Sequence, residues 1–118
     1  MGDHRIDASS VEPFSVMDGS DDRNATFIFG NEDHTLGNSL RHVLMQREEV
    51  DFCGYSVPHP YEPKMNLRLQ VKEGHNVKEV LKKGLADLQN LAEEIENKFT
   101  DAFVAFAAAN PTPKKESE

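Results

Sequence analysis

Met65, Leu67, Leu69 and Val71 alternate strictly with Asn66, Arg68, Gln70 and Lys72, which predicts a strand with one buried and one polar face. Ala25-Thr26-Phe27-Ile28-Phe29 is aromatic and β-branched, stops at Gly30-Asn31, and predicts an earlier strand. Between them, Val50–Val57 predicts a strand whose apolar residues fall on both parities: Val50 and Phe52 on one, Cys53, Tyr55 and Val57 on the other. Such a strand is expected to be covered on both faces. Pro58-His59-Pro60 ends it, because proline has no N–H for a ladder.

Two stretches carry the helical period instead. Leu36, Leu40, Val43 and Leu44 recur at i, i+4, i+7 and i+8, predicting a helix from Thr35, its N-cap, to Gln46. Gly37 and Asn38 sit in its first turn, where glycine costs about 1 kcal/mol against alanine. A glycine there suits a site where something approaches the backbone closely. After the Glu73-Gly74-His75 turn, Asn76 is expected to cap a second helix that runs to about Phe106, roughly 45 Å at 1.5 Å per residue. Its apolar positions (Val77, Val80, Leu81, Leu85, Leu88, Leu91, Ile95, Phe99, Ala102, Phe103, Phe106) hold one stripe throughout. Three strands and a short helix cannot cover that stripe. From Leu91 onward it is expected to need apolar surface from a partner chain, and the first helix offers a second stripe for an intersubunit bundle. Gly54 and Gly84 mark further positions of close approach or ordinary packing.

Composition removes several classes of function. The net charge is −8 and hydrophobic residues make up only 37% of the chain. In residues 1–24, Asp3, Asp7, Glu12, Asp18, Asp21 and Asp22 stand against Arg5 and Arg23 around the breaker-rich Asp18-Gly19-Ser20 run. That segment is expected to be an acidic, disordered extension, and 110–118 a flexible tail, leaving 25–109 as one domain. Nucleic-acid binding draws on a basic face to displace counterions, and none is present, so direct contact is expected to be minor. The single cysteine, Cys53, excludes an internal disulfide and any multi-cysteine zinc site. No apolar run is long enough to span a membrane and no secretory signal is read, so a reducing interior compartment is the default expectation. No catalytic residue, metal ligand or cofactor is predicted: His34, His42, His59 and His75 are scattered, and no P-loop, dinucleotide turn or His-x-x-x-His pair occurs.

The run His34-Thr35-Leu36-Gly37-Asn38-Ser39-Leu40-Arg41 resembles the first helix of the dimerisation domain of RNA polymerase alpha and its relatives, which include archaeal subunit L and the small alpha-like subunits of eukaryotic polymerases. Phe52-Cys53-Gly54-Tyr55-Ser56-Val57-Pro58-His59-Pro60 resembles the second-strand region of the eukaryotic subunits, closer to the form shared by polymerases I and III, and Asn66–Gln70 resembles the following strand. The resemblance implies a two-layer α+β dimerisation-type domain, with a small sheet and a short and a long C-terminal helix packed on one face. It implies a non-catalytic assembly subunit of DNA-directed RNA polymerases I and III that forms a heterodimer with a larger alpha-like subunit. That pair would be a platform for the large catalytic subunits, in the nucleus and nucleolus, serving synthesis of ribosomal RNA precursor, 5S RNA and tRNA. Carried over by position, Leu36, Leu40, Val43, Leu44, Leu85, Leu88, Leu91, Ile95 and Phe99 would bind the partner, and Gly37, Asn38 and Arg41 would dock a large subunit. The bacterial pattern has two arginines where this chain has Arg41 then His42, so contacts of the second arginine do not carry over.

Three other readings stay open on the residues. One is the equivalent subunit of polymerase II. Another is a homodimeric helical module outside polymerase, which explains the long helix but not the His34–Arg41 string. The third, a small enzyme, rests only on Cys53 and the scattered histidines.

Overall fold

A computed structural model describes residues 12–111. The expectations for residues 1–11 and 112–118 lie outside the described residues. The elements run β1 (Phe14–Val16), β2 (Asn24–Gly30), α1 (His34–Met45), β3 (Val50–Ser56), β4 (Lys64–Val71) and α2 (Val77–Ala109). The strands form one antiparallel sheet in the order β1-β2-β4-β3. The chain divides into two compact units, one ending at Leu88 and one beginning at Gln89, with α2 contributing to both.

The alternating strand does what its pattern predicts. Met65, Leu67, Leu69 and Val71 are all fully buried. In the β2–β4 register Ala25, Phe27 and Phe29 stand opposite Leu69, Leu67 and Met65, so the two strands bury one shared face. Leu40, Val43 and Leu44 of α1 and Val77, Val80 and Leu81 of α2 are buried as well and complete the core of the first unit. Gly84 belongs to the same packing: a Cβ there would lie 2.8 Å from Leu44 Cγ, so the glycine admits the Leu44 side chain against α2.

Three features depart from the sequence reading. Phe14–Val16, inside the segment read as a disordered extension, is an edge strand paired with Phe27–Phe29. Its anchor is aromatic: the Phe14 ring lies 5.8 Å from Phe27, stacked, and 5.2 Å from Phe29, edge-on. Second, β3 is not apolar on both faces. A bulge between Val50 and Phe52 inserts Asp51, so Val50 pairs with Val71 while Phe52 pairs with Gln70. One extra residue flips the parity, placing Val50 on the buried face with Cys53 and leaving Phe52 as the large apolar side chain on the outer one. Third, α1 begins at His34 and its N-cap is Asp33, whose carboxylate accepts from the Thr35 N–H at 3.0 Å. Thr35 lies inside the helix, because Asp33, two residues earlier, caps it by accepting from an orphan donor of the first turn, the Thr35 N–H itself.

The cap of α2 is the expected one. Asn76 Oδ1 accepts from the N–H groups of Lys78 (3.0 Å) and Glu79 (3.2 Å). The turn before it requires Gly74, at φ +90°.

Candidate partner interface

The second unit is helical from Gln89 to Ala109. Within it, Ile95, Phe99, Phe103 and Phe106 follow one another at intervals of four, four and three residues and are 59%, 67%, 59% and 65% exposed. Phe99 and Phe103 touch as a tilted pair with centroids 6.1 Å apart. Leu91 is half-buried, and in the first unit Leu85 is exposed and Leu88 half-buried. Single exposed apolar residues are ordinary, but a row with three phenylalanines is the signature of an association surface.

The predicted partner residues therefore separate into two groups. Leu85, Leu88, Leu91, Ile95 and Phe99 all keep exposed surface. Leu40, Val43 and Leu44 do not: they are 0%, 7% and 0% exposed in the chain's own core and have no side-chain surface left for a partner. Leu36 is intermediate. The period that marks an amphipathic face cannot tell which neighbour will cover it, and here β3, β4 and α2 do. Phe103 and Phe106 belong to the exposed row although they were read only as members of the stripe.

The start of α1 needs a similar correction. Gly37 is buried, not open to another subunit. A Cβ on Gly37 would stand 2.7 Å from Tyr55 Cγ and 2.8 Å from Cε2, so the close approach that the glycine permits is made by the chain's own β3. Tyr55 also hydrogen-bonds His34, Oη to Nδ1, at 3.1 Å. Asn38 and Arg41 are exposed. Gly54 repeats the pattern on the outer face, where its missing side chain leaves room for the Phe52 ring.

An ionic cluster joins the C-terminal end of α1 to α2. Arg47 pairs with Asp87 and, through Nε at 3.3 Å, with Glu49, while Lys83 reaches Glu49 at 3.7 Å. The hydrogen bond to Asp87 holds the Arg47 guanidinium above its ordinary pKa. Glu49 is held below the usual carboxylate value by its own backbone N–H and by Arg47. The charges offset one another and form no acid/base pair, while the buried Arg47 Nε is left without a hydrogen-bond acceptor. Burial pushes the Cys53 thiol up to about 11, which makes it a poor nucleophile. Among the described residues no cluster of His, Cys, Asp and Glu is placed to hold a metal ion, and no helix is long and apolar enough to cross a membrane.

A short sheet backing two helices, with an unsatisfied apolar row on the longer one, is the geometry of an assembly domain, and known proteins agree. Residues 24–98 match the model of the RNA polymerase Rpb3/Rpb11 dimerisation domain. The chain belongs to that family. Members of the Rpb3/Rpb11 family are non-catalytic polymerase subunits, and a dimerisation domain of this kind takes another polymerase subunit as its partner. The chain is 47% identical over 95 residues to the DNA-directed RNA polymerases I and III subunit RPAC2 of Schizosaccharomyces pombe, covering 79% of this chain and 76% of the relative. It is 50% identical over 78 residues to the DNA-directed RNA polymerases I and III subunit rpc19 of Dictyostelium discoideum, covering 66% and 67%. From the same organism, the RNA polymerase II subunit rpb11 is 35% identical over 75 residues, covering 64% and 62%. The fold is that of the DNA-directed RNA polymerase subunit L of Thermoplasma acidophilum, whose crystal structure superposes with a TM-score of 0.66 over 85% of this chain and 96% of that one, at 21% identity.

Proposed function

We propose that the chain is the small alpha-like assembly subunit of RNA polymerases I and III. It forms a heterodimer with a larger alpha-like subunit through α2, and the pair is the platform on which the large catalytic subunits gather. The observation that carries this reading is the exposed row Ile95, Phe99, Phe103 and Phe106 in a chain of the dimerisation family. Burying such a side chain contributes roughly 1.5–3 kcal/mol. Association itself costs about 4–15 kcal/mol, so four residues alone come close to break-even. The interface is therefore expected to include Leu85, Leu88 and Leu91 as well.

Identity of 50% to the Dictyostelium polymerases I and III subunit against 35% to its polymerase II counterpart supports assignment to polymerases I and III. On this reading the protein works in the nucleus, including the nucleolus, in synthesis of ribosomal RNA precursor, 5S RNA and tRNA. Its net charge of −8 supports a role away from the nucleic acid.

Co-expression with the larger subunit, followed by native mass spectrometry, tests the proposal. A 1:1 complex is expected, and purification from cells should recover the large subunits of polymerases I and III. A well-behaved monomer at micromolar concentration, or purification without polymerase subunits, would overturn it.

A further inference from the structure

Burial on α2 stops at Gly84: Val77, Val80, Leu81 and Gly84 are buried, and no later described residue of the helix is. A stricter period begins where burial ends. From Leu85 and Leu88 the apolar positions step by four and three residues through Ala92, Ile95, Phe99, Ala102, Phe106 and Ala109, an unbroken seven-residue repeat. Such a repeat suits a helix that supercoils with another, because 3.5 residues per turn keeps one seam facing its neighbour. The six positions from Ala92 onward are exposed. The last four lie beyond residue 98, where the match to the dimerisation family ends, so that match does not account for them.

The seam is self-complementary in one direction. Antiparallel alignment about the point between Phe99 and Ala102 sets each Phe99 against the second copy's Ala102, with Ile95 against Phe106 and Ala92 against Ala109 outside them. The two central layers then each hold one bulky and one small side chain, which fills a seam without voids. A parallel pair would stack Phe99 on Phe99 and Ala102 on Ala102, crowding one layer and emptying the next. Sliding the antiparallel pair by one repeat would bring Glu96 beside Glu96 and Lys98 beside Lys98, and like charges oppose that register. In the register centred between Phe99 and Ala102, Glu96 instead flanks Phe103 and Lys98 flanks Ala105.

We infer that, without its larger partner, the chain pairs with a second copy of itself, antiparallel along Ala92–Ala109, in a closed two-fold dimer. Both copies contribute the row Ile95, Phe99, Phe103 and Phe106, so one contact covers two exposed aromatic surfaces. The self-pairing is independent of any role in polymerase. Its displacement by the larger subunit, which would take the same row, rests on the assembly role proposed above.

The test uses the full chain alone at micromolar concentration and reads its mass by sedimentation and its fold by circular dichroism. A dimer of twice 13.3 kDa is expected. Ala102→Phe sets two phenylalanines in each central layer and should weaken the dimer roughly tenfold or more. Phe99→Ala/Ala102→Phe restores one large and one small side chain per layer and should bring the dissociation constant back to within about threefold of wild type. Direction is read by a short bis-maleimide cross-linker on Cys53→Ala chains that carry either Ala92→Cys or Ala109→Cys. The two should cross-link when mixed and neither by itself, because seventeen residues of helix separate like positions by roughly 25 Å. A monomeric chain, undiminished association of Ala102→Phe, no recovery in the double variant, or cross-linking of each cysteine chain with its own kind would overturn the inference. Association into particles of no fixed mass would overturn it too, while leaving the assembly reading standing. A homodimer that passes these tests but forms no 1:1 complex with the larger subunit would uphold the self-pairing and overturn the assembly reading instead.

Discussion

Gly37, Gly84 and Cys53 show how far a single residue can be read from sequence. Each glycine stands where helix propensity argues against it, and that cost marks a close approach. What approaches is not legible: for Gly37 it is Tyr55, eighteen positions on, and for Gly84 it is Leu44. Sequence spacing holds no record of which element will be laid across the helix. Cys53 was legible, because a thiol in the middle of an apolar strand has nothing to activate it. Its pKa of about 11 lies above the ordinary thiol value of 9.0 because burial penalises the thiolate. The stability gained by keeping the thiol neutral is therefore fully present below the ordinary value and is lost as pH rises through about 11. The native protein should resist alkylation at about pH 8, and the fall in melting temperature between about pH 9 and pH 11 should be smaller in Cys53→Ala. Rapid labelling of Cys53 without denaturant would contradict this.

Elements were legible where one period ran unbroken. The β4 alternation and the stripe of α2 each predicted the observed element to within a few residues. The misses have local causes. β1 spans only three residues, too few for alternation to register, and it is held by Phe14 against two rings that lie more than ten residues away. The bulge at Asp51 broke the parity of β3, so a strand with one buried face read as apolar on both. The start of α1 was misplaced because Asp33 and Thr35 are both good caps and only the fold chooses between them. Asn76 had no such rival. Its side chain satisfies two of the orphan donors of α2, so Asn76→Ala should lower unfolding free energy by about 1 kcal/mol. Denaturant titration would read this as a lower midpoint with an unchanged slope.

On the scale of the whole molecule, the fold class was legible through the family resemblance, with which the element order agreed, while the division between core and interface was not. Leu40 and Phe99 are equally apolar and equally periodic, yet one is fully buried and the other mostly exposed. The deciding quantity is the area of sheet and helix available to cover them, which only the folded chain specifies. Phe99→Asp should therefore separate folding from assembly. On an exposed position the lone chain's stability should change by less than about 0.5 kcal/mol. In the complex the same carboxylate would be buried without a partner, so co-purification with the larger subunit should be lost. A retained complex would show that the interface lies elsewhere on α2.

The two edges of the sheet have a consequence of their own. β1 offers three residues after Pro13, and β3 is interrupted by a bulge at a charged Asp51 and is followed by Pro58. Neither rim is a long, flat template on which another strand could add. Sticky side chains are displayed on a helix, while the backbone rims of the sheet are blunted. Contacts made by this protein are thereby steered towards closed, countable assemblies and away from open-ended fibre growth, a useful bias for a subunit that waits for its mate.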